Sequence, residues 1–207
     1  MTPEAPAIAV FAKAPVAGEV KTRLVATLGA EGAARLHQAL VERALATALA
    51  ARLGPVSLWC APDTSHPFFA RCAERYDVGL RRQQGADLGE RMHHAFEQAA
   101  GPVVLIGSDC PALEPRDLRM AADALRIDEA VFVPAEDGGY VLVGLARPDA
   151  RVFADVPWGT ARVMARTRDR LRDAGMRWRE LPPLWDVDRP DDYVRLQGAG
   201  LALEAMR

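Results

Sequence analysis

Val103-Val104-Leu105-Ile106-Gly107-Ser108-Asp109-Cys110-Pro111 is the stretch on which the fold turns. Four apolar residues in a row, three of them β-branched, read as a strand buried on both faces. Asp109 follows where that strand ends. In open α/β sheets the carboxyl ends of the strands are where ligands bind. An acid there, with Gly107 before it and Pro111 after it, suits a metal ion held against phosphates. It equally suits a cap on the helix that follows.

Outward from this strand the chain alternates. Residues 8–12 read as a first strand, followed by a loop rich in Gly, Pro and Lys. A helix is expected over about 30–52, with Leu36, Leu40, Ala44, Leu45, Ala48 and Leu49 on one apolar face. Gly54-Pro55 stops it. Strands are expected at 56–60 and 78–82, with helices at 67–76, 88–100 and 115–125. Two further strands, 130–134 and 140–145, are separated by Ala135-Glu136-Asp137-Gly138-Gly139. A basic helix at 160–174, a strand at 178–181 and a helix from about 190 complete the pattern. Strands alternating with helices predict a mostly parallel sheet covered on both faces. The short glycine-bearing joint before Tyr140 breaks the alternation, so one later strand is expected to be antiparallel. No repeat or linker interrupts the pattern, and one domain over 1–207 is expected.

Bulk properties narrow the function. The 207 residues carry 26 Lys and Arg against 28 Asp and Glu, a net charge of −2, which argues against nucleic acid as a partner. Cys60, Cys72 and Cys110 form no Cys-x-x-Cys pair, so neither a disulfide framework nor a structural zinc site is expected. No segment reads as a signal peptide or approaches the roughly eighteen apolar residues of a membrane helix, and a cytoplasmic location is the expectation.

Several constellations could carry chemistry. Lys13-Ala14-Pro15-Val16-Ala17-Gly18-Glu19-Val20-Lys21-Thr22-Arg23 lies just beyond the first strand. Its cations Lys13, Lys21 and Arg23, with Gly18 for close backbone approach, suit a di- or triphosphate; the alternative is an exposed basic loop. It is no P-loop, because Val20 precedes Lys21-Thr22 where a glycine is needed. Gly-x-Gly-x-x-Gly is absent. Asp186-Val187-Asp188 can offer hard oxygens to Mg²⁺ or Mn²⁺, or supply acids to a helix N-terminus. Asp87 either caps the helix after it or sits beside a flat ring approaching Gly85 and Gly89. Asp137-Gly138-Gly139-Tyr140 is a tight turn or a ligand-wrapping segment in which Asp137 binds an acceptor hydroxyl or acts as base. Trp158 stacks on an acceptor or fills the core. His93 and His94, with no partner at metal-binding spacing, are read as solvated or packed. Cys110 is read as a small buried residue, and the helix with Arg162, Arg166, Arg168, Arg170 and Arg172 as a solvated face, with Arg162 within possible reach of a phosphate.

Their order along the chain is more specific than any one of them. Phe-Ala-Lys-Ala-Pro-x-x-Gly-x-Val-Lys-Thr-Arg-Leu begins at Phe11, and Gly-Ala-Asp-Leu-Gly-Glu-Arg-Met at Gly85. Gly-Ser-Asp-Cys-Pro follows from Gly107, Glu-Asp-Gly-Gly-Tyr from Glu136 and Trp-Asp-Val-Asp-Arg-Pro-Asp-Asp from Trp185. Together they resemble the bacterial DUF2064 family of GT-A-type glycosyltransferase-like proteins over nearly the whole chain.

The resemblance implies a nucleotide-diphospho-sugar transferase (GT-A) fold, an α/β three-layer sandwich with a mostly parallel mixed sheet. Molybdenum cofactor and phospholactate guanylyltransferases share that fold. It implies a catalytic, metal-binding acid at Asp109, with Asp188 as the second contact to Mg²⁺ or Mn²⁺. The first loop and the segment around Asp87 would hold the nucleotide. Asp137, Gly138, Gly139, Tyr140 and Trp158 are expected on the acceptor side. The expected activity is sugar transfer from a nucleotide-sugar to a small-molecule acceptor. Nucleotidyl transfer from a nucleoside triphosphate to a phosphorylated molecule is the alternative, and a non-catalytic nucleotide-binding protein a third. Two departures stand out: Cys110-Pro111 replaces the Asp-x-Asp usual in glycosyltransferases, and only Gly18 remains of the guanylyltransferases' glycine-rich loop.

Overall fold

The computed structural model describes residues 5–200. Its strands are β1 (Ala7–Lys13), β2 (Val56–Ala61), β3 (Gly79–Arg82), β4 (Val103–Gly107), β5 (Ala130–Pro134), β6 (Tyr140–Leu145) and β7 (Trp178–Glu180). They form one seven-stranded sheet in the order β3-β2-β1-β4-β6-β5-β7. Only β6 runs against the rest, pairing antiparallel with both β4 and β5. The five residues between β5 and β6 are too few for a parallel crossover, which needs a dozen or more. The expected antiparallel strand is therefore β6.

The α-helices among the described residues are α1 (Val25–Ala50), α2 (Pro67–Tyr76), α3 (Leu88–Glu97), α4 (Pro115–Ala124), α5 (Val163–Asp173) and α6 (Pro190–Gly198). Side chains alternate across β1, so Ile8, Val10 and Ala12 meet α1, α2 and α4, through Val41, Leu45, Phe69 and Leu118. Ala9 and Phe11 face the opposite layer, with Met92 and Phe96 of α3 and Met164 and Leu171 of α5. β4 is buried on both sides, with Val104 and Ile106 in the first layer's core and Val103 and Leu105 in the second's. This is the expected three-layer α/β sandwich.

α1 begins earlier than expected. Its first turn starts at Val25, but Gly29 adopts φ 71° and ψ 164° and kinks the helix, so the regular part follows Gly29, near the expected start. A smaller cluster of Leu24, Leu36, Leu40, Trp185, Val187 and Leu196 ties α1 to α6. No helix among the described residues is long and apolar enough to cross a membrane.

The topology gathers the loops at one rim. The carboxyl ends of β1, β2, β3, β4 and β5 and the amino end of β6 share it. Segments 14–24, 83–87, 108–114 and 135–139 therefore meet, as expected for a ligand site in such a sheet.

Candidate active site

Asp109 does not cap the helix after it. That helix, α4, starts at Pro115, and Glu114 with Asp117 forms its capping box. The 108–114 loop is pinned instead, where Arg43 Nε donates to the Pro111 carbonyl at 2.7 Å. The Asp109 carboxylate accepts an ion pair from Lys21 Nζ at 2.8 Å. Asp188 lies on the other side of the same ammonium, 3.2 Å away, and also pairs with Arg23 at 3.0 Å. A backbone bond from Val187 N–H to the Asp109 carbonyl (2.9 Å) holds the 185–188 segment against the end of β4. The helix N-terminus expected after Asp188 is present, with Arg189 as the N-cap of α6, Asp191 and Asp192 in its first turn and the Asp192 carboxylate accepting from Arg189 N–H. Asp188 itself turns to Lys21 and Arg23.

The Lys21 side chain is only 3% exposed. Burial alone would lower its pKa, yet Asp109 and Asp188 outweigh that and hold the ammonium above its usual value. Lys21 sits at φ 48°, a left-handed conformation that costs a non-glycine residue roughly 1–2 kcal/mol. For Asp109 burial acts upward, but Lys21 holds the carboxyl below its ordinary value.

His37, on α1, was invisible as a site residue because it reads as part of an apolar helix face. Its Nε2 lies 3.0 Å from the Lys13 carbonyl, which can only accept, so Nε2 carries the proton. Burial lowers its pKa and keeps the ring neutral. Its Nδ1 lone pair is thus buried without a donor, 3.9 Å from Asp109 Oδ1.

Asp186, the first acid of the Asp186-Val187-Asp188 motif, lines none of the three cavities at the rim. Burial, together with the charges of Asp137, Asp188 and Asp109, pushes its carboxyl up to about 6. Asp109, Asp137 and Asp188 therefore bring three carboxylates to the cleft, with Asp186 within reach of their charge. Among the described residues, however, no three His, Cys, Asp or Glu side chains already form a metal cage; the acids close on Lys21 instead.

Three adjoining cavities run along the rim. The first, about 690 Å³, lies over the ends of β2 and β3 against Arg82, Gln83, Gly85 and Arg91. Gln83 is locked there, its amide donating to the carbonyls of Trp59 (2.8 Å) and Ala12 (3.3 Å). The second, about 420 Å³, shares Lys13, Glu19, Val20 and Gln83 with the first and is floored by Lys21, His37, Asp109 and Asp188. The third, about 280 Å³, adjoins the second through Phe11, Arg23, Leu88, Gly107 and Asp188 and holds Asp137, Gly139, Tyr140 and Trp158.

Three expected residues line none of these cavities. Gly18, at φ 82°, forms an exposed turn with nothing crowding its α-carbon. Asp87 caps α3, accepting from Glu90 N–H at 2.8 Å. Gly138 packs on α5's approach: a Cβ there would lie 2.2 Å from the Ala161 carbonyl oxygen, and its own carbonyl accepts from Met164 N–H. Asp137 both makes the turn, accepting from Gly139 N–H at 2.9 Å, and lines the third cavity. His93 does have a partner one turn on, Glu97 at 3.6 Å, a neighbour the spacing argument overlooked. Of the arginines of α5, Arg168, Arg170 and Arg172 pair with Glu180, Asp173 and Asp169, and Arg166 donates to the Asp155 carbonyl.

The fold is that of the nucleotide-diphospho-sugar transferases. A protein from Desulfovibrio desulfuricans G20, provisionally assigned as a nucleotide-diphospho-sugar transferase, is 33% identical with a TM-score of 0.81, over 90% of this chain and 83% of that one. A nucleotidyl transferase from Methanothermobacter thermautotroptrophicus shares the fold at 17% identity and TM-score 0.66, over 98% and 99% of the two chains. So does a Mycobacterium tuberculosis H37Rv protein in complex with manganese, at 22% identity and TM-score 0.54, over 94% and 98%. The chain belongs to the family described as "Uncharacterized protein conserved in bacteria (DUF2064)", whose model matches residues 44–160. No protein in the curated collection matches its sequence.

Proposed function

We propose that this protein is a metal-dependent glycosyltransferase that moves a sugar from a nucleotide-sugar to a small-molecule acceptor. The observation that carries the proposal is the single ammonium of Lys21 held between Asp109 and Asp188 on the floor of the middle cavity. Two carboxylates converging on one cation are the oxygen donors that a hard divalent ion takes. Mg²⁺ or Mn²⁺ on Asp109 and Asp188 would neutralise charge on the donor's phosphates and on the departing nucleotide. The manganese complex of the mycobacterial neighbour supports that choice of ion.

The remaining roles follow from position along the cleft. The first cavity, with Gln83 fixed in its wall, takes the base and ribose. Lys13, Lys21 and Arg23 supply fixed positive charge to the phosphates, an effect that grows as water is excluded. The acceptor hydroxyl enters from the third cavity and is oriented by Asp137. In the transfer the acceptor oxygen bonds to the sugar's anomeric carbon, and the bond from that carbon to the phosphate oxygen breaks. Its electron pair leaves with the nucleoside diphosphate, and the acceptor's proton passes to Asp137.

Nucleotidyl transfer is the second reading, favoured by three cations in one loop and by the missing Asp-x-Asp after β4. Product analysis separates the two. Incubation with nucleotide-sugars and hydroxyl acceptors should release nucleoside diphosphate, and Asp109→Asn should slow that release roughly a hundredfold or more. Pyrophosphate release from a nucleoside triphosphate, with no turnover of any nucleotide-sugar, would replace this reading with the second.

A further inference from the structure

We propose that the acceptor is a small uncharged molecule with an apolar body and one hydroxyl end, bound in the cavity walled by Phe11, Leu88, Met92, Tyr140, Val143 and Trp158. The inference rests on the transferase reading above and names the acceptor class for it.

The lining comes first. This cavity of about 280 Å³ lies at the small end of ligand pockets, typically ~300–1,000 Å³, so it suits a single ring or a short chain. Its walls are apolar side chains of β1, β4, β6 and α3, closed by the Trp158 ring. That ring sits directly on Gly89, where a Cβ would come within 2.8 Å of it, and meets Tyr140 edge-on at 6.3 Å. Leu88 opens α3 with 43% of its surface exposed and touches both this cavity and the phosphate cavity. An apolar ligand would cover it.

Charge then excludes the anionic alternative. The charged residues in the wall are Arg23, Asp137 and Asp188, and the one guanidinium is already paired with Asp188 at 3.0 Å. With the donor bound, Arg23 turns to its phosphates and Asp188 to the ion, so a phosphorylated or carboxylated acceptor would meet the uncompensated Asp137 carboxylate. A neutral molecule meets no such cost. Asp188 stands at the end shared with the phosphate cavity, which is where a hydroxyl must sit to meet the donor.

Two donors are under-used. The Tyr140 hydroxyl has only Met92 Sδ, 3.9 Å away, and Trp158 Nε1 is buried with no acceptor. The indole N–H signal of Trp158 is therefore a reporter for anything that enters.

The test is a two-dimensional NMR titration of the ¹⁵N-indole-labelled full chain, which has four tryptophans, with Trp158→Phe assigning the signal. Benzyl alcohol should shift the Trp158 resonance saturably and leave Trp178 unmoved, while glycerol 3-phosphate should shift neither. Leu88→Asp, at an exposed position that tolerates a charge, should weaken the alcohol roughly tenfold. Stronger binding of glycerol 3-phosphate than of benzyl alcohol at Trp158, an unmoved Trp158 signal, or an unchanged affinity in Leu88→Asp would overturn the proposal. Titrating nucleotide-sugars into the same sample reads the transferase proposal by itself. Alcohol binding without nucleotide binding would sink that reading alone.

Discussion

Lys21 Nζ lies 2.8 Å from Asp109 Oδ1, and through this contact the loop after β1 closes on the end of β4. The two residues lie on different loops, yet each sets the other's charge. Burial works against both ions, and the pair overcomes it on each side. Replacing Lys21 with Met should leave Asp109 without its cation and Asp188 with Arg23 alone. The cost should be about 1–3 kcal/mol in urea unfolding, limited because both carboxylates still reach water. Nucleotide binding should weaken in the same variant. An unchanged urea midpoint would mean the ammonium carries no structural load.

The two glycines read as ligand-approach positions should behave differently. Gly138→Ala forces a Cβ to within 2.2 Å of a backbone oxygen at φ +94°, and should cost about 2–4 kcal/mol. Gly18→Ala meets only a φ of +82° in open space, and should cost about 1–2 kcal/mol. Thermal unfolding of the two variants side by side checks the order, and equal costs would refute the packing argument at Gly138.

Asp186 makes stability depend on pH. Its carboxyl is raised to about 6 in the folded chain, against roughly 4 unfolded. The native state thus holds its proton more tightly. The stability this contributes is complete below about pH 4 and is lost as pH rises through about 6. Asp186→Asn should therefore gain on the wild type between pH 4.5 and pH 7.5 in metal-free buffer, by urea midpoint. A constant difference across that range would show that Asp186 ionises normally.

The thiols should be silent. Burial pushes Cys60, Cys72 and Cys110 each up to about 12, so thiolate is scarce at neutral pH. A colorimetric disulfide reagent at pH 8 should titrate none of the three in the native chain and all three in denaturant. Fast native reaction at Cys110 would reopen a nucleophilic role beside Asp109.

Much of the architecture was legible because it rests on local pattern. The run from Val103 to Ile106 announced a strand buried on both faces, and its two faces fill two separate cores. The short joint before Tyr140 announced the reversed strand. The insertion of β6 between β4 and β5 was not legible, since strand order depends on long-range pairing that no local signal encodes. In the site, the residues at strand ends could be named, but not their pairing. Lys21 meets Asp109 by way of a left-handed backbone that no lysine advertises. Asp186 takes its character from burial and from Asp137, some fifty residues earlier, and His37 from burial against the loop after β1 and the end of β4. Sequence spacing cannot show either neighbour.

Calorimetric titration of nucleotides, with Mn²⁺ and with chelator, tests the central claim most directly. A nucleotide-sugar should bind in Mn²⁺ more tightly than the triphosphate of the same base. Chelator, or the pair of substitutions Asp109→Asn and Asp188→Asn, should abolish that binding while the far-ultraviolet spectrum stays unchanged. Equal affinity with and without metal, or in the doubly substituted chain, would contradict the account.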